Sequence, residues 1–518
     1  MSLLRRVTLS DWTTNERNTL AGAALALFGS AFLVATWSVV ILPVQQSFRV
    51  SVDGEVLLRQ LPDIAGLFSV LAVGAFGRQV SSSRLLAVAA AAVFGGVLLM
   101  LLAPAFGWLI FGMSLMSVGR SVVSVAAFSA VGATIGHESR RTSAFSALGA
   151  AAPVAFIVGP MLAAAMLVAG GWRLVGALWV ASALVLAVAA WLMRGPTQPR
   201  ERGERREPWT PILGGVTLVG VVQSLGAITL HGAGSFAALA WIVATLAAAG
   251  GWFVLANWLP RPTIDGRALR TPGLIAMLIV AMIGQCGDLW FYVAAFARFG
   301  HQLTALQVST AMLAAQVASL GGACVAGWLV RRLGLRRSGA LLLALYSAAM
   351  FLSCTASTTG PIWILIVILS VAAVAEIGSG VCMTQAIMSC AAKGEDRAVS
   401  SYRSAATGIG NALALLLVAS SVSHAMGESM RREAELRQAS PEQVQALVEA
   451  IRDNVPTSVI GRELDLSDAR VQELRTVRRE VMVQGMRAHG AVSGVVIAIA
   501  AAGFWFARRD ATGPKVIA

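Results

Sequence analysis

The feature that most constrains this chain is the recurrence of one kind of segment: fourteen apolar runs, each about a bilayer long, separated mostly by short arginine-bearing links. They lie at 20–43, 58–77, 85–103, 108–132, 143–168, 174–194, 210–230, 235–258, 272–297, 304–330, 338–356, 361–391, 402–424 and 489–507. One crossing needs ~20 mostly apolar residues as a helix. A chain of 518 residues that is only 13% charged, against ~25% in soluble domains, belongs in lipid. The expected fold class is an all-α polytopic membrane protein whose main environment is the lipid bilayer.

The links carry the topology. A formal charge of +14 in a soluble protein would raise the question of nucleic acid, but here the charge sits between hydrophobic runs, and no nucleic-acid partner is expected. Lys and Arg gather on the cytoplasmic side of membrane proteins. With the N-terminus inside, alternate links hold 25 Lys and Arg on one side and four on the other, Arg49, Arg59, Arg173 and Arg298. One missing crossing would erase that asymmetry, so both termini are expected in the cytoplasm, with the chain in a bacterial inner membrane. The first run ends at Leu42-Pro43 without an A-x-A cleavage site and reads as an uncleaved span rather than a signal peptide. The five cysteines show no CxxC and no histidine at metal spacing, so they read as small core residues, with no metal expected.

The stretch 425–488 is the exception, with ten arginines on the outer side. Long translocated loops escape the charge rule. Ser440-Pro441-Glu442-Gln443 reads as a helix start, and Val444, Leu447, Val448, Ile451 and Val455 follow at helical spacing. A second helix is expected from Ser467 into the last run. Such a hairpin either caps the bundle or docks a periplasmic partner.

Two links share text, GAFGRQVSSSR at 74–84 and GWLVRRLGLRR at 327–337, each after the second run of a six-run block. This spacing predicts two repeats with an inserted pair: a six-helix bundle over 1–195, two inserted helices with linkers over 196–271, and a six-helix bundle over 272–518 that includes the outer hairpin. These links resemble the G-x-L-x-D-R-x-G-R-R signature of the major facilitator superfamily, with Gly327, Leu329, Arg332, Gly334 and Arg336 matching, Arg331 in the Asp place, and little but Gly74 kept in the first copy. LMSVGRSVVS is similar to the R-x-x-Q-G signature, with Arg120 in place. Gly159-Pro160 resembles the antiporter signature G-x-x-x-G-P-x-x-G-G, Ala155, Ala163 and Ala164 standing where glycines are usual. GIGNALALLL at 408–417 and VQGMRAHGAVSGVV at 483–496 resemble the last two helices of the fourteen-spanner drug:proton antiporters. Two residues before TWSVVILP, residues 36–43, Val34 stands where that subgroup often carries an aspartate.

That resemblance implies a major facilitator fold with fourteen transmembrane helices and a substrate site between two bundles. Pro160 frees the carbonyl of Phe156, and small neighbours admit another backbone, so Gly159 and Pro160 form the expected hinge motif. An ionisable group at bilayer depth costs at least ~2.5–3.5 kcal/mol and marks a functional candidate. Four stand out: Arg120 mid-run, Asp63 and Asp288 in outer halves, and Glu376 in the run equivalent to that of Arg120. An arginine stays charged, whereas a carboxyl holds its proton more tightly among apolar helices and less tightly beside a guanidinium. Arg120, Asp288, Glu376 and Asp63 are therefore the proton-coupling candidates, Asp63 having a rival partner in Arg59 one turn earlier. Trp37, Gln45, Gln285, Trp290, Tyr292, Gln316 and Gln385, with Gln223 weaker, are cavity candidates; the structural alternatives are interfacial aromatics and interhelical hydrogen bonds.

No GxSxG, HExxH, Walker A or nucleotide-binding glycine loop is present, so neither enzyme activity nor a cofactor is expected and the driving force is an ion gradient. The leading expectation is a proton-coupled exporter of hydrophobic or amphipathic small molecules. The alternative is export of an endogenous anionic metabolite or siderophore. By analogy with similar fourteen-spanners, a periplasmic adaptor and outer-membrane channel are the partners the outer hairpin would meet.

Overall fold

In the computed structural model the described residues are 12–48, 50, 52–76, 80–194, 207–259, 269, 271, 273–297, 301, 303–358, 360–392, 394–437 and 468–507. They are helical, with no strand among them. The elements are α1 (Thr14–Phe48), α2 (Val52–Phe76), α3 (Ser82–Leu101), α4 (Phe106–Thr134), α5 (Glu138–Leu192), α6 (Trp209–His231), α7 (Phe236–Trp258), α8 (Leu274–Ile283), α9 (Leu289–Ala295), α10 (Ala305–Ser353), α11 (Ile362–Met388), α12 (Asp396–Arg437) and α13 (Asp468–Ala507).

Every apolar run falls on a helix, but the runs are not fourteen separate helices. Among the described residues nine helices are individually long and apolar enough to cross a membrane. Two of these hold two runs each. α5 leaves helical geometry at Gly170 and at Gly171 (φ 74°), and α10 at Gly334 (φ 78°). Left-handed φ values cost a side chain energy but cost glycine little, so glycine places both turns. Two other runs appear as the shorter apolar helices Leu61–Ala75 and Leu274–Ile283. The run at 272–297 is interrupted between α8 and α9.

α1 to α5 pack on one another, and α8 to α13 on one another. α6 and α7 pair together, α6 also touching α2 and α12. α7 keeps Phe236, Val243, Leu246, Phe253 and Trp258 more than 60% exposed, as a lipid-facing helix would. Gly159 lies against α1, where a Cβ would come 3.0 Å from the Ala35 Cβ and 3.4 Å from the Thr36 Cγ2. α5 is assigned as helix through Pro160, and its non-helical backbone, at Gly170-Gly171, is the turn between the runs 143–168 and 174–194.

Several helices outrun their apolar text. α1 starts at Thr14, where Thr13 Oγ1 accepts the Glu16 N–H and the Glu16 carboxylate accepts the Thr13 N–H (2.9 Å). α12 continues to Arg437, and α13 runs unbroken from Asp468 into the last run, as expected of the second hairpin helix. The expected first hairpin helix, from Ser440 through Val444 to Val455, lies outside the described residues.

Candidate functional site

Two ionisable centres and one polar seam stand out. The first centre lies between α2 and α4. Gly66 brings α2 so near α4 that a Cβ there would approach Ser117 Oγ to 2.6 Å and Ser121 Oγ to 3.0 Å. Asp63, one turn earlier on the same face of α2, thereby faces the stretch of α4 that carries Arg120, and each is the charged neighbour acting on the other. Asp63 has exposed surface, whereas the Arg120 Nε is buried without an acceptor. The side chain of Arg59 lies outside the described residues.

The second centre surrounds the interruption between α8 and α9, in the text Gly284-Gln285-Cys286-Gly287-Asp288. Two glycines in four residues weaken a helix. A broken helix exposes backbone groups that need partners, and here α10 and α13 supply them. Tyr346 donates its hydroxyl to the Gly287 carbonyl (2.5 Å), Ser493 donates to the Cys286 carbonyl (2.9 Å), and the Asp288 N–H donates to His489 Nε2 (3.2 Å). Since Nε2 accepts, the proton of neutral His489 sits on Nδ1, a buried atom without an acceptor. The Tyr292 ring lies 5.3 Å from the His489 ring, and its hydroxyl donates to the Val418 carbonyl (3.2 Å). Trp290 Nε1 donates to Glu376 Oε2 over a long 3.4 Å. Asp288 acts electrostatically on Glu376, and among the described residues no arginine or lysine does.

The seam joins the two helix groups at the end that holds the arginine-rich links. Arg397, on α12, donates to the Val80 carbonyl (2.6 Å) and to Ser82 Oγ (3.0 Å) in the link between α2 and α3. Arg141, on α5, donates to the Met388 carbonyl (2.9 Å) and stands 3.7 Å from the Asp396 carboxylate. Burial pushes the Asp396 carboxyl above its ordinary value while Arg141 pulls it back, so the carbonyl bond is the firmer of the two links. Ser124 and Ser404 hydroxyls meet at 3.0 Å, Ser400 donates to the Val125 carbonyl (3.2 Å), and the Arg403 guanidinium lies 3.9 Å over the Phe128 ring. In the first shared text, which lacks the signature aspartate, the Val80 carbonyl and the Ser82 hydroxyl accept from Arg397 of α12.

The sequence candidates divide accordingly. Asp63 and Arg120 come together, as do Asp288, Glu376, Trp290 and Tyr292; Arg120 is not joined to Glu376. Gln385 is 4% exposed and donates to Thr142 Oγ1 (2.7 Å) across the seam, so it is interhelical glue rather than open wall. Tyr292 is 1% exposed and also belongs to packing. Trp37 packs on Trp179 at 5.8 Å between ring centroids, within the first group. Gln45 keeps a buried Nε2 without a partner, Gln285 sits at the interruption beside Gly410 of α12, and Gln316 and Gln223 are half-buried on α10 and α6. His489 was not singled out by sequence reasoning. The available signal was a lone imidazole between Ala488 and Gly490 in an apolar helix.

A family model described as Major Facilitator Superfamily matches residues 22–415. Two curated relatives, both named methyl viologen resistance protein SmvA and from two strains of Salmonella typhimurium, are 24% identical over 460 residues, covering 84% of this chain and 87% of theirs. Among solved structures, a bacterial homologue of the iron transporter ferroportin in an outward-facing state aligns with TM-score 0.56 at 14% identity, over 94% of this chain and 99% of that one. The E. coli fucose:proton symporter FucP aligns with TM-score 0.54 at 13% identity, over 94% and 98%. At such identities these two show the fold alone.

Proposed function

The chain belongs to the major facilitator superfamily, and on that premise we propose that it is a proton-coupled secondary exporter of amphipathic small molecules across a bacterial inner membrane. It moves them by alternating access and is not an enzyme. In this reading the fourteen runs are fourteen crossings, residues 1–195 and 272–518 are the two rocking bundles, and 196–271 carry the inserted pair. Both termini are cytoplasmic. The arginine-rich end is then the cytoplasmic end, and its polar seam is the closed inner gate of an outward-open carrier.

The observation that carries this reading is the second centre: two carboxyl groups, Asp288 and Glu376, at a broken membrane helix with no arginine or lysine among the described residues acting on Glu376. Discontinuous helices frame substrate and coupling-ion sites in secondary transporters. A carboxyl without a permanent cation is free to take a proton from one side and lose it to the other. The likeness to the methyl viologen resistance proteins supports an organic cation as the class of substrate, since methyl viologen is a flat dication and acidic residues suit it. The outer ends of α12 and α13 are where a periplasmic adaptor would dock.

Everted membrane vesicles test the reading. A fluorescent organic cation should accumulate when the interior is made acidic, and a protonophore should release it. Accumulation indifferent to the protonophore would remove proton coupling, and none with any organic cation would remove the substrate class.

A further inference from the structure

We propose that a groove between α3 and the second half of α5 binds one anionic phospholipid, its phosphate held by Arg84 and Arg194. This rests on the reading that both helices cross the membrane with their arginine-bearing ends at one surface; it does not depend on the transported substrate.

The groove encloses about 720 Å³. Its depth comes from sequence. The pentapeptide Leu-Ala-Val-Ala-Ala occurs twice, at 86–90 and 186–190, once on each wall. In both copies the leucine and fourth-position alanine are buried, while Ala87 and Ala187 are exposed. Alanines where leucines would otherwise fill the gap leave the groove open. Phe94, Leu184 and Trp191 wall it, and are 41%, 61% and 61% exposed to what would be lipid.

The polar features of the groove gather at one end. Arg84 lies in the first turn of α3 and Arg194 just past the end of α5, and both line the groove. Neither has an ion-pair partner among the described residues, and each is exposed. Ser83 donates to the Ala190 carbonyl (2.6 Å), tying the two helix ends at that level. Trp191, one turn before Arg194, is an indole where membrane proteins place aromatic belts. Two guanidiniums at the mouth of an apolar channel complement a phosphate with a hydrocarbon tail. A zwitterionic headgroup would bring its own cation against them.

The test titrates phosphatidylglycerol into delipidated full-length protein and counts bound lipid by native mass spectrometry, with phosphatidylethanolamine as the zwitterionic comparison. One phosphatidylglycerol should bind more tightly than any phosphatidylethanolamine. At ~1 kcal/mol for each basic residue near an anionic surface, Arg84→Gln should weaken it about fivefold, and the double variant with Arg194→Gln about thirtyfold. Arg84→Lys with Arg194→Lys should keep most of the preference, separating charge from misfolding. Ala187→Trp, at an exposed position with both arginines intact, should also abolish tight binding by filling the channel. Equal affinity for the two lipids, or an unchanged affinity in the double glutamine variant, would overturn the proposal. Displacement by inorganic phosphate as effective as by lipid would reduce the site to a phosphate contact and overturn the lipid seat. Loss of lipid preference with intact dye accumulation counts against the groove alone; failed dye accumulation with intact preference counts against the exporter reading alone.

Discussion

The two ionisable centres lie one in each helix group and are built from opposite chemistry. Between α2 and α4 a permanent cation, Arg120, faces one accessible carboxylate, Asp63, across helices that run unbroken. Around α8 and α9 two carboxyl groups, a neutral histidine and two tyrosines surround a helix that breaks. A guanidinium stays charged and sets a static field. A carboxyl on which no described arginine or lysine acts, as at Glu376, changes charge when its surroundings change. Under the proposed function the first group supplies the field and the second the titrating proton.

The largest effect expected from that division is in the second group. Asp288→Asn together with Glu376→Gln should bring proton-driven accumulation in vesicles to background, while Asp63→Asn should leave a reduced but still protonophore-sensitive signal. The reverse pattern would interchange the roles of the two groups. Arg120 gives the next effect. Arg120→Met should slow transport ~tenfold or more, equivalent to ~1.4 kcal/mol. Arg120→Lys should restore transport only on the acid side, because a buried ammonium loses its proton where a guanidinium does not. A pH–rate profile for the lysine variant that overlays the unaltered protein would show that any cation suffices.

How much of this was legible in the sequence follows from the range of the forces involved. Burial of apolar runs is a local signal, so every run fell on a helix and the Asp63, Arg120, Asp288 and Glu376 candidates were visible as charges out of place. Helix ends past the lipid were not visible, because Thr14 to Thr19 and the stretch to Arg437 are held by capping and helix continuity rather than hydropathy. The break at Gly284 to Asp288 had a signal, two close glycines, that a twenty-six-residue apolar run masked. The seam had none, since Arg397, Arg141, Ser124, Ser404 and Gln385 come from distant runs and meet only after the groups pack. His489 failed to register for a related reason: its significance is the N–H of Asp288, two hundred residues away.

A smaller effect, on stability, follows from that bond. His489→Ala removes the imidazole acceptor of the part-buried Asp288 N–H, a cost of up to ~1 kcal/mol, and should lower the melting temperature of detergent-purified protein. His489→Gln, which offers a carbonyl acceptor, should recover part of the loss. If alanine and glutamine melt alike, the bond to Asp288 contributes nothing and the ring acts only through its packing on Tyr292.

The smallest effects test whether the break is one unit. Tyr346→Phe leaves the Gly287 carbonyl without its hydroxyl donor, and Ser493→Ala does the same to the adjacent Cys286 carbonyl. Each is expected to cost ~0.5–1.5 kcal/mol. The two carbonyls belong to consecutive residues of one unwound segment, so relaxation after the first substitution changes what the second removes. Groups that share such a network show interaction energies of ~0.5–3 kcal/mol in a double-mutant cycle, whereas distant independent sites add within ~0.3–0.5 kcal/mol. A cycle on Tyr346 and Ser493 should therefore depart from additivity. The same cycle on Ser117 and Ser121, which line the close approach of unbroken α2 and α4 at Gly66, should add. Equal behaviour in the two cycles would mean that the break is as rigid as an intact helix crossing, and the second group would then lose its claim to be the part that moves.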